Sequence, residues 1–321
     1  MSITPRSGSS YFLSNGGYEA SISSIGATLR ELTHHGRHLV HTFDMDEVRP
    51  AYKGATLAPW PNRIIDGRYS IDGQEYQLPL SEPKRGHALH GLALWLDFEP
   101  EDVGPDLVVL VATIEPQTGY PFRVEVRTTY RLAEDGLTTT VELRNVGAGT
   151  APAGASTHSY LVAGEGQIDE WTLKSPARKL MHAHGARLLP GSVVSVEEVA
   201  GAFDFREARR IGEMEIDHAF TDVFGEGEGD GAGAGDDGAG GGATVTLTTP
   251  DGTGVGMTWG TDAPWVQIFT SDQPGIEWDR QAVAVEPMTC APDAFNSGID
   301  LAWLEPGERL ETTQRIFAIN A

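Results

Sequence analysis

The sequence predicts an all-β fold, a sandwich or barrel assembled from many short strands. Three observations support this class. Segments rich in Val, Thr, Tyr and Leu alternate polar and apolar residues with a period of two, as half-buried strands do. Asp-Gly pairs lie between several of these segments, and such pairs are the strongest short-range signal of a β-hairpin. Helical periodicity, by contrast, is scarce along the chain.

Three hairpins follow from this pattern in chain order. The first joins RYSIDGQ to EYQLPL around Asp72-Gly73. The second joins FRVEVRTTYRL to LTTTVEL through residues 133–136, and the third joins ATVTLTT to GVGMTW through residues 250–252. DLVVLVATI, residues 106–114, predicts a more fully buried strand, because its apolar residues run on without alternation. FDFREARRIGEM, residues 203–214, predicts one short turn of helix.

A segment of different composition lies at residues 225–242 and reads GEGEGDGAGAGDDGAGGG. It has almost nothing to bury, so folding cannot offset the entropy of ordering it. A flexible surface loop between two strands is the favoured interpretation, with a calcium-binding loop as the alternative. Strand-like sequence resumes at Ala243, so we do not expect a domain boundary here.

Composition limits the function. The chain has 321 residues, 40% of them apolar, which is enough for one large all-β domain. A net charge of −23 makes nucleic acids and anionic membranes poor partners. The single cysteine, Cys290, excludes an internal disulfide and a cysteine-rich zinc site. With no signal peptide and no 18-residue apolar stretch, we expect a cytoplasmic protein.

Two histidines, His87 and His90, lie three residues apart in RGHALHGL. His-x-x-His converges on a metal only where the chain is helical or tightly turned, and the adjacent Gly86 and Gly91 disfavour a helix. These residues alone leave three roles open: a structural role in hydrogen bonding the backbone, acid–base or sugar-binding work, and the least favoured one, metal binding.

Further motifs before and after these histidines occur together in one known family. In order along the chain they are Asn62-Arg63-Ile64, Gly67-Arg68-Tyr69, Tyr76-Gln77-Leu78, Leu89-His90-Gly91, the Gly-Tyr-Pro of residues 118–132, Thr157-His158-Ser159-Tyr160, Asp217-His218-Ala219-Phe220, and VEPMTCAPDAFN at 285–296. From about residue 10 to its last residue, the chain resembles the aldose 1-epimerase (mutarotase) family, as a divergent bacterial branch.

The resemblance implies a large single-domain β-sandwich of the galactose mutarotase type over residues 1–321. It implies an isomerase that interconverts the α and β anomers of a hexose by opening and closing the sugar ring. A small-molecule sugar is then the partner, no metal or cofactor is required, and the protein is a monomer or homodimer.

The resemblance also assigns the site residues. Glu286 is the catalytic base and His158 the catalytic acid, while Arg63, His90 and Asp217 bind the sugar. His87 has no counterpart in the family and is interpreted as structural.

The residues themselves are compatible with these roles without requiring them. In QAVAVEP, alternation places Glu286 on a strand face lined by small alanines, with Pro287 ending the pairing; an exposed strand-end glutamate is the alternative. A histidine such as His158 can exchange a proton near neutral pH, or can simply be a core histidine bonded to the backbone. Arg63 and Asp217 suit sugar hydroxyls, but an ion pair and a turn cap are equally ordinary.

Trp60 and Trp278 could stack on a sugar, although burial in the core is the commoner fate of tryptophan. Thr157, Leu161 and the segment 92–95 depart from the family pattern beside the site, which affects the preferred sugar more than the reaction. Two alternatives therefore stay open: an epimerase of a phosphorylated or sulfonated sugar, for which Lys84 and Arg85 supply positive charge, and a non-catalytic sugar-binding module.

Overall fold

The computed structural model describes residues 4–199, 201–225 and 242–320. The strands of the first half of the chain are β1 (Ser10–Asn15), β2 (Tyr18–Ser23), β3 (Thr28–His34), β4 (Arg37–His38), β5 (Thr56–Leu57), β6 (Arg63–Ile64), β7 (Arg68–Ile71), β8 (Gln74–Gln77), β9 (Ala88–Leu89), β10 (Glu99–Val103), β11 (Leu107–Ile114), β12 (Val124–Ala133), β13 (Gly136–Asn145), β14 (Ala151–Ala153), β15 (Ser156–Thr157) and β16 (Ser159–Leu161).

The strands of the second half are β17 (Thr172–Lys174), β18 (Lys179–His184), β19 (Leu189–Ser195), β20 (Arg209–Arg210), β21 (Asp217–Thr221), β22 (Ala243–Thr248), β23 (Gly254–Trp259), β24 (Trp265–Phe269), β25 (Val283–Met288), β26 (Ala302–Leu304) and β27 (Arg309–Ile319). Helix is confined to one α-helical turn, Ala294–Ser297, and to the 3-10 turns Pro50–Tyr52, Ile65–Gly67, Ala93–Trp95 and Ile168–Glu170 within the described ranges. None of these helices has the length and hydrophobicity needed to cross a membrane.

Two large antiparallel sheets form the sandwich. The nine-stranded sheet has the order β10-β11-β12-β13-β27-β23-β22-β17-β20, and the six-stranded sheet has the order β16-β25-β24-β21-β18-β19. Alternate residues of both sheets enter one buried apolar cluster, for example Val126 and Val245 from the first sheet and Ile268 and Val285 from the second. Burial of apolar side chains between two sheets is what stabilises a sandwich, so the predicted all-β class is confirmed.

All three predicted hairpins are present. β7 pairs with β8, β12 with β13, and β22 with β23, each in antiparallel register. In the first of them Asp72 and Gly73 both have positive φ, +50° and +81°. Positive φ at both positions is the geometry of a type I′ turn, whose twist matches that of the two strands.

Two local predictions are wrong. β11 exists, but its residues alternate between buried and partly exposed, because it lies second from the edge of a sheet that is covered on one face. Residues 203–214 contain turns and the short strand β20 rather than a helical turn, since pairing of β20 with β17 satisfies the backbone there instead. The predicted Gly/Asp-rich loop, apart from its end residues Gly225 and Gly242, lies outside the described residues.

One glycine near the six-stranded sheet is required by the backbone. Gly91 has φ +81°, and a Cβ there would lie 2.0 Å from the carbonyl oxygen of Ala58. That same oxygen accepts the N–H of Leu92 at 2.7 Å. The close approach of the two backbones therefore fixes the position of the residue before it, His90, which also has positive φ, +64°.

We expect Gly91→Ala to destabilise the fold by about 2 kcal/mol or more, since it combines a left-handed backbone with a backbone clash. Gly73→Ala is the matched control, because Gly73 has the same φ of +81° but nothing within 4 Å of the added Cβ. Urea unfolding monitored by circular dichroism gives both free energies of unfolding. Equal losses in the two variants would contradict the close-approach argument.

Candidate functional site

A cavity of about 1030 Å³ opens over the six-stranded sheet. Its floor comes from β16, β21, β24 and β25, and its walls come from the loops around residues 50–52, 82–90 and 272–278. All five residues assigned from the resemblance line it: Arg63, His90, His158, Asp217 and Glu286. Tertiary structure thus brings together side chains that are up to 223 positions apart in sequence (286 minus 63).

Glu286 and His158 form the floor. Ser159 on β16 faces Val285 on β25, so the next residues outward, His158 and Glu286, come side by side. Nε2 of His158 lies 3.4 Å from Oε1 of Glu286. Both side chains are almost fully enclosed, with exposed fractions of 6% and 2%. The alternative of an exposed strand-end glutamate is therefore wrong.

The alternation predicted for β25 is present. Val283 and Val285 enter the main core, whereas Ala284 packs with Tyr160 on the opposite face, the face of Glu286. The prediction that Pro287 ends the pairing holds on one side only. Pairing with β16 stops at Val285, but pairing with β24 continues through Pro287 to Met288. Because proline lacks a backbone N–H, Pro287 has no hydrogen to donate to a neighbouring strand, yet the ladder with β24 continues past it.

His90 and Arg63 reach the site through a short ladder. β6 pairs with β9, so that Arg63 faces Leu89, and the N–H of His90 donates to the carbonyl of Asn62 at 2.9 Å. This pairing explains why the two motifs occur together, although they are two dozen residues apart. The ring of His90 then meets the ring of His158 edge-on, with centroids 4.9 Å apart.

Arg63 is held by a residue that the sequence analysis did not identify. Its Nε and Nη2 donate to the two carboxylate oxygens of Glu82 at 2.8 and 3.1 Å, a bidentate pair. Arg85 donates to the same carboxylate at 2.7 Å. Burial alone would lower the pKa of Arg63, but the hydrogen bonds to Glu82 and the negative charge of Asp217 raise it overall. Glu82 had no recognisable motif to reveal it.

Asp217 is oriented by a buried amide. Nε2 of Gln267 donates to Oδ1 of Asp217 at 2.7 Å, and Nδ2 of Asn62 donates to Oε1 of Gln267 at 3.1 Å. Gln267 also faces Glu286 across the β24–β25 ladder. The sequence analysis missed Gln267, although one signal was available: it is the only polar residue in the otherwise apolar run WVQIF. A polar residue in such a run requires partners.

Burial controls the charges of the floor. It raises the pKa of Glu286 well above its ordinary value, with the negative charge of Asp217 adding to the shift and the positive charge of Arg63 opposing it. Burial also lowers the pKa of His158 and of His90. In a desolvated site each group disfavours its charged form. Burial therefore favours the neutral form of each group, the carboxylic acid of Glu286 and the neutral imidazole of His158.

The remaining candidates, His87 and the two tryptophans, differ in whether they line the cavity. His87 lies outside the cavity, fully buried: its Nδ1 accepts the N–H of Asp66 at 3.1 Å, and its Nε2 lies 3.0 Å from the carbonyl oxygen of Arg187. These contacts are those of a structural histidine. Trp60 packs in the core beside Phe295 and is 2% exposed, whereas Trp278 lines the cavity. Of the two tryptophans, only Trp278 is in a position to contact a sugar.

A metal could be held at the floor rather than at His87. His90, His158 and Glu286 offer ligand atoms that all lie within 4.8 Å of one another. Two histidines and a glutamate are a ligand set found in catalytic zinc sites. With metal–ligand distances of about 2.0–2.2 Å, however, ligand atoms approach one another to roughly 3.3 Å. The side chains would therefore have to move closer together to hold an ion.

Comparison with known proteins identifies the family to which the chain is similar. The family model described as aldose 1-epimerase matches residues 9–316. The Escherichia coli protein YihR is 36% identical over 303 residues, covering 94% of this chain and 91% of YihR. Rat galactose mutarotase is 30% identical over 170 residues, half of this chain and 47% of that protein.

Among solved structures, a galactose mutarotase-like protein from Clostridium acetobutylicum superposes with a TM-score of 0.80 at 18% identity, covering 97% of this chain and 95% of the other. At that identity the likeness shows the fold alone, and it identifies the sandwich as the galactose mutarotase type. The match of the family model over nearly the whole chain shows more. The chain belongs to the aldose 1-epimerase family and is a sugar epimerase at the level of that family.

Proposed function

We propose that the protein is a mutarotase that interconverts the α and β anomers of a hexose by acid–base ring opening and closure. One observation carries this proposal: a buried carboxyl group and a buried imidazole, 3.4 Å apart, lie at the bottom of a cavity with sugar-binding groups around them. Mutarotation requires a base that takes the proton from O1 and an acid that protonates O5, the two oxygens attached to C1, and this pair can supply both.

The steps balance with two proton transfers. With the shared proton on His158, the carboxylate of Glu286 removes the proton from the C1 hydroxyl while His158 protonates the ring oxygen O5, and the C1–O5 bond breaks to give the open-chain aldehyde. Rotation about C1–C2 turns the other carbonyl face toward O5. The O5 hydroxyl then returns its proton to His158 as the bond forms again, and Glu286 returns its proton to O1. The enzyme ends in its starting protonation state, with no net oxidation or reduction.

A charged neighbour stabilises the carboxylate in the ionised form of the pair, in which Glu286 has lost its proton and His158 carries it. The positive charge of Arg63 lies close enough to oppose the rise in the pKa of Glu286, so it stabilises the carboxylate needed by the base. Arg63 offers its remaining N–H groups, and Asp217 its carboxylate oxygens, to sugar hydroxyls. His90, kept neutral by burial, offers one donor and one acceptor nitrogen near the ring oxygen.

The charges of the cavity favour a neutral sugar. Glu82, Glu215, Asp217, Asp272 and Glu286 all line it. Arg63 and Arg85, which could have met a phosphate or sulfonate, are both bonded to Glu82. Lys84 at the rim is the remaining positive charge among the lining residues. Taking an anionic sugar into this set of carboxylates would cost free energy that one lysine offsets poorly.

The first test is Glu286→Gln, which keeps the size and hydrogen bonding of the side chain but removes its basicity. We expect kcat to fall by roughly 10²–10⁴-fold, with little change in sugar affinity. Polarimetry of α-to-β conversion of glucose and galactose gives kcat, and calorimetry gives the dissociation constant. Glu75→Gln, an exposed strand glutamate, is the matched control and should behave as wild type. Full turnover in Glu286→Gln would remove the glutamate from the mechanism.

The second test couples the two catalytic groups. His158→Asn should lower kcat by a comparable factor, because it removes the acid. The double variant with Glu286→Gln should be far less than multiplicatively slower, because both groups act on one transition state. Strictly multiplicative losses would show that the two residues act in separate steps.

The third test is the dependence of kcat/KM on pH. The active pair carries one proton. Because burial lowers the pKa of His158, adding a second proton should require a pH below 6.5, the ordinary value for histidine. Because burial raises the pKa of Glu286, losing the shared proton should require a pH well above 4.5. We expect the acid limb of the profile to lie below 6.5, measured by anomer-exchange NMR after subtraction of the buffer-catalysed rate. An acid limb at 6.5 or above would contradict a buried pair.

The fourth test addresses the ligand set at the floor. Since the proposed steps use no metal, EDTA should leave the initial rate unchanged. Added Zn²⁺ should inhibit competitively with sugar, because it would occupy His158 and Glu286. Activity that is lost in EDTA and restored by Zn²⁺ would overturn the metal-free mechanism.

A further inference from the structure

Lys53 is a buried cation that takes no part in the proposed proton transfers. It follows the 3-10 turn Pro50–Tyr52 and is 2% exposed. Lysine is rarely buried so completely, because removing its ammonium from water is costly unless a partner compensates. Among the described residues, Lys53 forms no ion pair within 4 Å, and its ammonium contacts an imidazole and an indole while the charge of Glu47 acts on it from farther away.

The ammonium of Lys53 contacts both His41 and Trp278. Nζ of Lys53 lies 2.8 Å from Nδ1 of His41. It also lies 3.9 Å from the centre of the Trp278 ring, within cation–π distance. Burial, helped by the charge of Lys53, lowers the pKa of His41 to about 4, so this imidazole is neutral at pH 7. Nδ1 of His41 also lies 3.0 Å from the carbonyl oxygen of Thr42, so it accepts from Lys53 in the tautomer whose proton is on Nε2. Burial lowers the pKa of Lys53 itself to about 8, which still leaves it charged at pH 7.

Trp278 lies in a largely exposed segment, where few other groups hold its indole. It belongs to the segment between β24 and β25, in which residues 274–277 are exposed. The ends of the segment are fixed: Arg280 donates to Asp169 at 2.7 Å and to Asp272, and Oγ of Ser271 donates to the carbonyl of Ala282 at 2.6 Å. The indole between them is held by its ring contacts, among which the ammonium is the one with a charge.

The indole also connects to the catalytic floor. The Trp278 ring meets Tyr160 edge-on with centroids 5.6 Å apart. Tyr160 in turn stacks on His158 at 5.0 Å, with their planes only 16° apart. Trp278 therefore lies one aromatic ring away from the proposed acid and lines the cavity in which the sugar is proposed to bind.

We propose that Lys53 is a positioning residue, which holds the indole of Trp278 as the sugar-contacting wall of the cavity. Lys53 itself does not line the cavity, so it acts through the indole rather than on the sugar. This inference rests on the proposed sugar-binding function, but it concerns affinity and not the proton transfers. Its signature is a change in KM and dissociation constant with an unchanged kcat.

The experiment compares Lys53→Met, Lys53→Arg, Trp278→Leu and the double variant Lys53→Met/Trp278→Leu. Methionine fills much of the same buried space without charge, so folding should survive. We expect KM and the calorimetric dissociation constant to rise on the order of tenfold in Lys53→Met, the loss expected for a desolvated cation–π contact. The value of kcat should stay within about twofold. Lys53→Arg keeps the charge over the indole and should recover most of the affinity.

The double variant tests whether Lys53 affects sugar binding through Trp278. If Lys53 acts through Trp278, adding Lys53→Met to Trp278→Leu should change KM by less than about twofold. Multiplicative losses, or an unchanged KM in Lys53→Met, would overturn the proposal. A lower melting temperature with normal KM in every variant would show a merely structural lysine. Lys174→Met, at an exposed strand position, is the control for loss of one positive charge.

Failure of this inference can be distinguished from failure of the proposed function. If the wild type converts no sugar, the mutarotase proposal fails, while calorimetry with D-glucose and D-galactose still measures the effect of Lys53 on binding. If Glu286→Gln loses turnover but Lys53→Met binds sugar as the wild type does, only the role of Lys53 is refuted.

Discussion

The rest of the site depends on one contact, the desolvated approach of His158 to Glu286. Neither group is favoured as a lone buried charge, and the proposed ring opening uses a single proton shared between the two. The contact exists because β16 and β25 are neighbours in register, Ser159 opposite Val285. The backbone on the other side of His158 is equally fixed: its N–H donates to the carbonyl of Ala55, and its carbonyl accepts the N–H of Gly54.

The groups around this pair are held by ionic and amide contacts at the edges of the cavity. Glu82 orients the guanidinium of Arg63 through two hydrogen bonds, and Gln267 orients the carboxylate of Asp217. These partners restrict the rotamers of the groups that would meet sugar hydroxyls, so less entropy is lost on binding. The same contacts also set the charge balance, because Glu82 occupies the two arginines that an anionic sugar would otherwise use.

The backbone is strained at two residues beside the catalytic pair. His90 and Gly91 both have positive φ, and their close packing against Ala58 turns the imidazole toward His158. A left-handed histidine costs free energy that a packed environment must offset. Elsewhere in the cavity, the buried Lys53 contacts the lining residue Trp278. In both places a buried group lies against a residue that lines the cavity, and the proposed role of Lys53 is to position Trp278 in this way.

The sequence by itself determined the all-β class and the three hairpins, because period-two alternation and Asp-Gly turns are local properties of the chain. Ordered motifs also revealed the family and, through it, five of the residues that line the cavity. What only the tertiary structure decided is how those residues are paired and charged. Glu82 and Lys53 carry no local signal, and the single polar position of Gln267 in an apolar run does not reveal its partners, since these come from distant strands and loops. The burial of β11 and the continuation of β25 past Pro287 were likewise set by neighbouring strands, because exposure and pairing depend on what lies beside a segment and not on its own residues.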